Sequence, residues 1–178
     1  MSKIEIKKSA EFVDYESSVK LMQSRVNEIQ NKQKNELLWF LNHNHIYTQG
    51  TSAEKSEVIK PNNIRIIKTN RGGKTTYHGP GQRIVYFLIN LNNRKKDIRK
   101  FISVIENSII QFLKIHKIKA KRDIKNIGIW VNSKKIAAIG IRISRWVAYH
   151  GCSINISNNL NHYLKIIPCG LSNKNVTS

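Results

Sequence analysis

The run Arg71-Gly72-Gly73-Lys74-Thr75-Thr76-Tyr77-His78-Gly79-Pro80-Gly81-Gln82 constrains this chain more than any other. Four glycines within residues 71–81 permit positive φ and a close approach of backbone to a ligand. Residues 64–68 before it and 83–90 after it are rich in β-branched and aromatic side chains and read as strands. A sheet must therefore be built around this connection. Two readings stand: an ordinary tight link between strands, or a ligand-contacting loop, since Arg71, Tyr77 and His78 are costly choices for a plain turn. Gly73-Lys74-Thr75 invites a phosphate-loop reading, but that motif needs glycine at position 68, which is Lys, and no GxGxxG is present either.

Periodicity predicts the elements around it. Residues 14–34 form a helix, with Val19, Met22, Val26 and Ile29 recurring at spacings of three and four. Residues 37–41 and 45–48 are short strands, and the polar residues 51–62, with Pro61, an exposed loop. Residues 97–116 are a second helix, whose stripe is Ile98, Ile102, Ile105, Ile109, Phe112 and Leu113. Residues 128–131 and 135–143 pair as a hairpin through Asn132-Ser133, and residues 145–156 make a further strand. Two helices among many strands that meet mostly through hairpins give an α+β class, with mixed and antiparallel sheets flanked by helices.

The chain of 178 residues, 40% of them hydrophobic, is long enough for one domain with its own core. No linker or repeat divides residues 1–178. Lys and Arg number 31 against 11 Asp and Glu, a formal net charge of +20. That favours an acidic partner: a polyanion, an acidic protein or an acidic membrane surface. Ile, Asn and Lys dominate the composition, a bias that accounts for part of the charge without function. No RNP, KH or helix-turn-helix pattern supports a nucleic-acid partner. No apolar stretch has the length of a membrane span, and residues 1–8 lack the apolar core of a signal peptide, so a cytoplasmic protein without membrane attachment is expected.

Two cysteines in a core of this size make no disulfide framework. Cys169 lies in Ile166-Ile167-Pro168-Cys169-Gly170-Leu171, where Pro and Gly bend the backbone at a strand end. It reads either as a small buried residue or as a nucleophile, the latter only if a cation or base stabilises its thiolate. Lys135, before the apolar run Ile136-Ala137-Ala138-Ile139-Gly140, reads either as solvated charge or as a partly desolvated acid–base group. His43 and His45 alternate as a metal pair would, but no third ligand stands near them in sequence, so no metal is expected. No GxSxG elbow supports an esterase.

Taken together, four segments resemble one family, the lipoyl(octanoyl) transferases. Residues 71–82 resemble its RGGxxTYHGPGQ signature. Gly128-Ile129-Trp130-Val131 followed by Lys135-Ile136-Ala137-Ala138-Ile139-Gly140-Ile141-Arg142 resembles its GVWV…KIAAIGVR block. Residues 146–155, with Tyr149-His150-Gly151, resemble its next strand, and Ile167-Pro168-Cys169-Gly170-Leu171 its closing PCG motif. The match runs in consistent order over residues 12–178, and four motifs in register are far more specific than any one alone.

The resemblance implies a fold similar to the catalytic domain of lipoate and biotin protein ligases. It implies that Cys169 takes an octanoyl group from octanoyl-acyl carrier protein as a thioester and passes it to a lysine of a lipoyl domain. The acceptors would be the 2-oxoacid dehydrogenases and the glycine cleavage H protein. Lys135 would lower the thiol's pKa and shuttle protons. Arg71, Gly72, Gly73, Lys74, Thr75, Thr76, Tyr77 and His78 would line the acyl pocket with Ala138, Ile139, Gly140, Gly151, Cys152 and Ser153. No cofactor is implied, because a thioester donor is already activated. An ATP-dependent ligase sharing the fold is the alternative. Family members usually continue past the equivalent of Val176-Thr177-Ser178 into a further helix, which is not expected within this chain.

Overall fold

The computed structural model describes residues 3–60, 63–123, 126–167 and 176–178. A seven-stranded sheet forms the body, in the order β1-β2-β6-β10-β9-β8-β7. Its strands are β1 (Ile4–Phe12), β2 (Glu36–Asn42), β6 (Gln82–Asn90), β7 (Lys121–Arg122), β8 (Ile129–Val131), β9 (Lys134–Ser144) and β10 (Val147–Asn155). A three-stranded sheet carries β4 (Ile66–Lys68), β3 (Ile46–Gln49) and β5 (Thr75–His78), in that order. β1 runs parallel to β2 and β4 parallel to β3; the other pairings are antiparallel. The class is α+β.

Strand alternation sets which helix covers which face. Helix α1 (Tyr15–Gln30) starts where the Asp14 carboxylate accepts from the Ser17 N–H. Its stripe Met22, Val26 and Ile29 packs on Leu37, Trp39 and Leu41 of β2 and on Ile84, Tyr86 and Leu88 of β6. Helix α2 (Ile98–Ile115), capped by Asp97, sets Ile105, Ile109 and Leu113 on residues of the other parity, Val85 and Cys152 among them. The chain turns between β8 and β9 at Asn132 and Ser133, and between β9 and β10 at Arg145 and Trp146, each pair at positive φ. This is the geometry a two-residue antiparallel hairpin requires.

The helices and hairpins expected from periodicity form within a few residues of their predicted ends. Four differences have physical causes. β1 is an exposed edge strand whose inward residues are charged or polar: Lys7 lies over the Trp39 ring and Ser9 accepts from Trp39 Nε1, so no apolar alternation marks it. β5 falls inside the glycine-rich run, whose glycines suggest only a connection. The polar 51–62 region is not uniformly exposed, since Glu57 is buried and accepts from the Thr75 N–H. Arg145 and Trp146, expected in a strand, form the turn before β10.

Candidate active site

A cavity of about 410 Å³ lies where the glycine-rich loop crosses β9 and β10. That volume falls within the range of small-molecule sites, ~300–1,000 Å³. Arg71 explains why the loop carries an arginine. The residue is 8% exposed, and its guanidinium donates to the Thr48 carbonyl and hydroxyl and to the carbonyls of Gly72 and Lys74. It braces the turn from inside while forming part of the cavity wall. Gly72 lets the loop lie on β9: a Cβ there would stand 2.8 Å from the Ile141 carbonyl oxygen.

β5 then divides its residues by parity. Thr76 and His78 line the cavity. Thr75 and Tyr77, expected to do the same, point the other way. Thr75 is fully buried behind the wall, and Tyr77 packs with Tyr47, Tyr163 and Ile166 while its hydroxyl pairs with His45 Nδ1 at 2.6 Å. On β5 the strand's period of two sends these two pairs to opposite faces.

From β9 come Lys135, Ala138, Ile139 and Gly140, and from β10 Gly151, Cys152 and Ser153. Ile141 and Ile143 join Ile98 and Ile102 of α2 to extend the wall with apolar surface. Three distant stretches of sequence thus meet at one cavity. Cys152 is buried, and burial pushes its thiol up to about 12, so it stays protonated and serves as wall. Cys169 lies outside the described residues.

Lys135 is only 6% exposed. Its Nζ donates to the Ile127 carbonyl at 3.1 Å and lies 5.0 Å from the centre of the Trp130 ring. Among the described residues no carboxylate stands within 4.0 Å of it. Its charge is held without being neutralised, and its backbone bridges Val176 while its carbonyl accepts from the Thr177 N–H. Lys74, by contrast, is paired with Glu54 and Glu57, and hydrogen bonds to these two raise its pKa. Burial pushes Glu57 up, yet the Thr75 N–H and Lys74 outweigh it, and its carboxyl ends below the usual value.

Sequence reasoning missed Tyr15, Tyr86 and His150, which also line the cavity. Each is a lone polar residue at the head of a helix or inside a strand, where no spacing singles it out. His43, His78 and His150 are held neutral, chiefly by burial, with pKa values lowered to about 4, 3 and 3. His43 is engaged at both nitrogens, by the Val13 carbonyl and the Tyr86 hydroxyl. His150 sits at φ 61 within β10, a conformation that strands hold only under tertiary constraint.

The family model of the lipoyl protein ligase A/B catalytic domain matches residues 14–178. The octanoyltransferase of Wolbachia pipientis subsp. Culex pipiens is 48% identical over 175 residues, 96% of this chain and 85% of that protein. The octanoyltransferase of Bartonella tribocorum is 44% identical over 188 residues, 98% and 77% of the two chains. Among solved structures, lipoate-protein ligase A bound with ATP superposes with a TM-score of 0.77 at 13% identity, over 98% of this chain and 76% of that one. At that identity the likeness is one of fold. The family model and these relatives agree: the chain belongs to the lipoyl protein ligase A/B catalytic domain family and, within it, to the octanoyltransferases, which are acyltransferases.

Proposed function

We propose that the protein takes an octanoyl group from octanoyl-acyl carrier protein onto Cys169 as a thioester and transfers it to the ε-amine of a lysine in a lipoyl domain. The acceptors are those of the 2-oxoacid dehydrogenases and the glycine cleavage H protein, and the reaction is cytoplasmic. The observation that carries this reading is the meeting of an un-neutralised buried lysine with an apolar-walled cavity. A thiolate beside Lys135 gains the attraction that makes it a nucleophile at neutral pH. The wall of Ile98, Ile102, Ile139, Ile141 and Ile143 suits an alkyl chain, each buried CH₂ contributing about 0.8 kcal/mol. Backbone N–H groups of the glycine-rich loop can stabilise the tetrahedral oxyanion. The formal charge of +20 suits an acidic carrier. Among the described residues no helix is long and apolar enough to cross a membrane.

Intact mass spectrometry after exposure to octanoyl-carrier is the test. The wild-type protein gains one octanoyl group, and Cys169→Ala gains none. A Cys169→Ala variant that still transfers the acyl group, or a reaction that proceeds only from free octanoate and ATP, refutes the reading and favours a ligase.

A further inference from the structure

His78 lines the cavity, and its Nδ1 lies 2.7 Å from the Gln82 side-chain oxygen. Which way the Gln82 amide points is decided by its other end. Gln82 Nε2 faces the Tyr77 carbonyl at 3.2 Å, Asn155 Oδ1 at 2.9 Å and the Tyr163 hydroxyl at 2.8 Å. Asn155 is in turn oriented by a backbone carbonyl, because its Nδ2 donates to Thr177 O at 2.9 Å. A flipped Gln82 would set an oxygen against two acceptors in a buried site, at the cost of an unsatisfied polar group. The amide oxygen therefore faces His78. An oxygen of this kind only accepts, so the proton sits on Nδ1, and Nε2, which has no hydrogen-bond partner among the described residues, is a bare acceptor on a ring that lines the cavity.

Resting on the function proposed above, we infer that Gln82 is a positioning residue: it holds His78 in the Nδ1–H tautomer so that Nε2 accepts a hydrogen bond from the attacking amine of the acceptor lysine. The reacting atoms of a thioester donor carry no hydrogen, and its acyl tail is hydrocarbon. On the substrate side the amine alone brings N–H bonds to the reacting centre. In that step the amine nitrogen bonds to the acyl carbon, the carbon–sulfur bond breaks, and the proton lost by nitrogen ends on the departing sulfur, leaving an amide and a free thiol. Nε2 holds an N–H while the lone pair is aimed at the carbonyl. Arg71 and Lys135 put positive charge on a wall that carries no carboxylate among its described residues, which favours the uncharged, nucleophilic amine over the ammonium. Gln82 lies outside the segments expected to touch substrate, and it is fully buried.

The test reads the tautomer and the two half-reactions separately. ¹⁵N-resolved NMR of the wild-type imidazoles is expected to show His78 protonated at Nδ1 and bare at Nε2. Gln82→Met is expected to lose that assignment and to slow amide formation from the preformed acyl-enzyme by about tenfold, the worth of one orienting hydrogen bond, while acyl-enzyme formation changes little. Gln82→Glu keeps an acceptor oxygen against Nδ1 and is expected to restore the Nδ1–H tautomer, at a loss of stability because its second oxygen meets the Tyr77 carbonyl and Asn155 Oδ1. A proton on Nε2 in the wild type, or a Gln82→Met variant that slows both steps equally, overturns the inference. If the wild type forms no acyl-enzyme, the proposed function fails instead, and the NMR result stands apart from it.

Discussion

Lys135 Nζ lies 3.1 Å from the Ile127 carbonyl and 5.0 Å from the centre of the Trp130 ring, in a side chain only 6% exposed. A carbonyl and an aromatic face can hold an ammonium in place without cancelling its charge. The cation is therefore available to stabilise an anion that forms beside it.

Replacing it tests that role. In Lys135→Ala, loss of an adjacent charge is expected to raise the nucleophile's pKa by about 1–3 units. Acyl-enzyme formation at neutral pH should then fall by roughly 10- to 1,000-fold. Much of the loss should return above pH 9, where the thiol ionises unaided. Stopped-flow measurement of adduct formation against pH checks this; a uniform loss at every pH would instead mean that Lys135 only shapes the site.

Gly128 makes room for that lysine. Its φ is 137, and a Cβ there would stand 2.7 Å from the Ala137 carbonyl oxygen and 3.2 Å from Lys135 Cε. Gly128→Ala is expected to destabilise the fold by about 1–3 kcal/mol and to lower activity beyond what the lost folded fraction explains. Denaturant midpoints measured beside single-turnover rates separate the two effects.

Glu36 is 1% exposed, and its carboxylate accepts from the Asn90 N–H and from both terminal nitrogens of Arg94. The Arg94 side chain remains 36% exposed, which screens the pair. Arg94→Met should therefore cost about 2 kcal/mol, below the ~3–5 kcal/mol of a fully buried pair. A urea titration reads the change, and an unchanged midpoint would show that Asn90 alone satisfies the carboxylate.

Stability should depend on pH before any carboxylate titrates. His43, His78 and His150 have folded-state values near 4, 3 and 3, all below the value of about 6.5 in an unfolded chain. Between these values the unfolded state binds more protons than the folded one. Stability is thus complete above about pH 6.5 and falls as the pH drops towards 4. Each histidine contributes up to about 1.4 kcal/mol per pH unit. Urea midpoints measured from pH 8 to pH 5 should fall steadily, and a flat profile would show that the three rings are not buried as described.

Much of this molecule is legible in its sequence because local periodicity carries the information. The 3.6-residue stripes of α1 and α2 and the turn chemistry at Asn132-Ser133 each reflect interactions among near neighbours. The glycine-rich run, Lys135 before its small apolar residues, and the four ordered motifs also belong to the chain itself. Tertiary structure alone decides how they act together. It turns Thr76 and His78 to the cavity and Thr75 and Tyr77 away, it makes Arg71 a strut, and it leaves Lys135 without a carboxylate partner among the described residues. It also joins Thr177, Asn155, Gln82 and His78 into one polarised chain. Those relations connect residues tens of positions apart, and their energy comes from burial and hydrogen-bond direction, which exist only once distant strands are side by side.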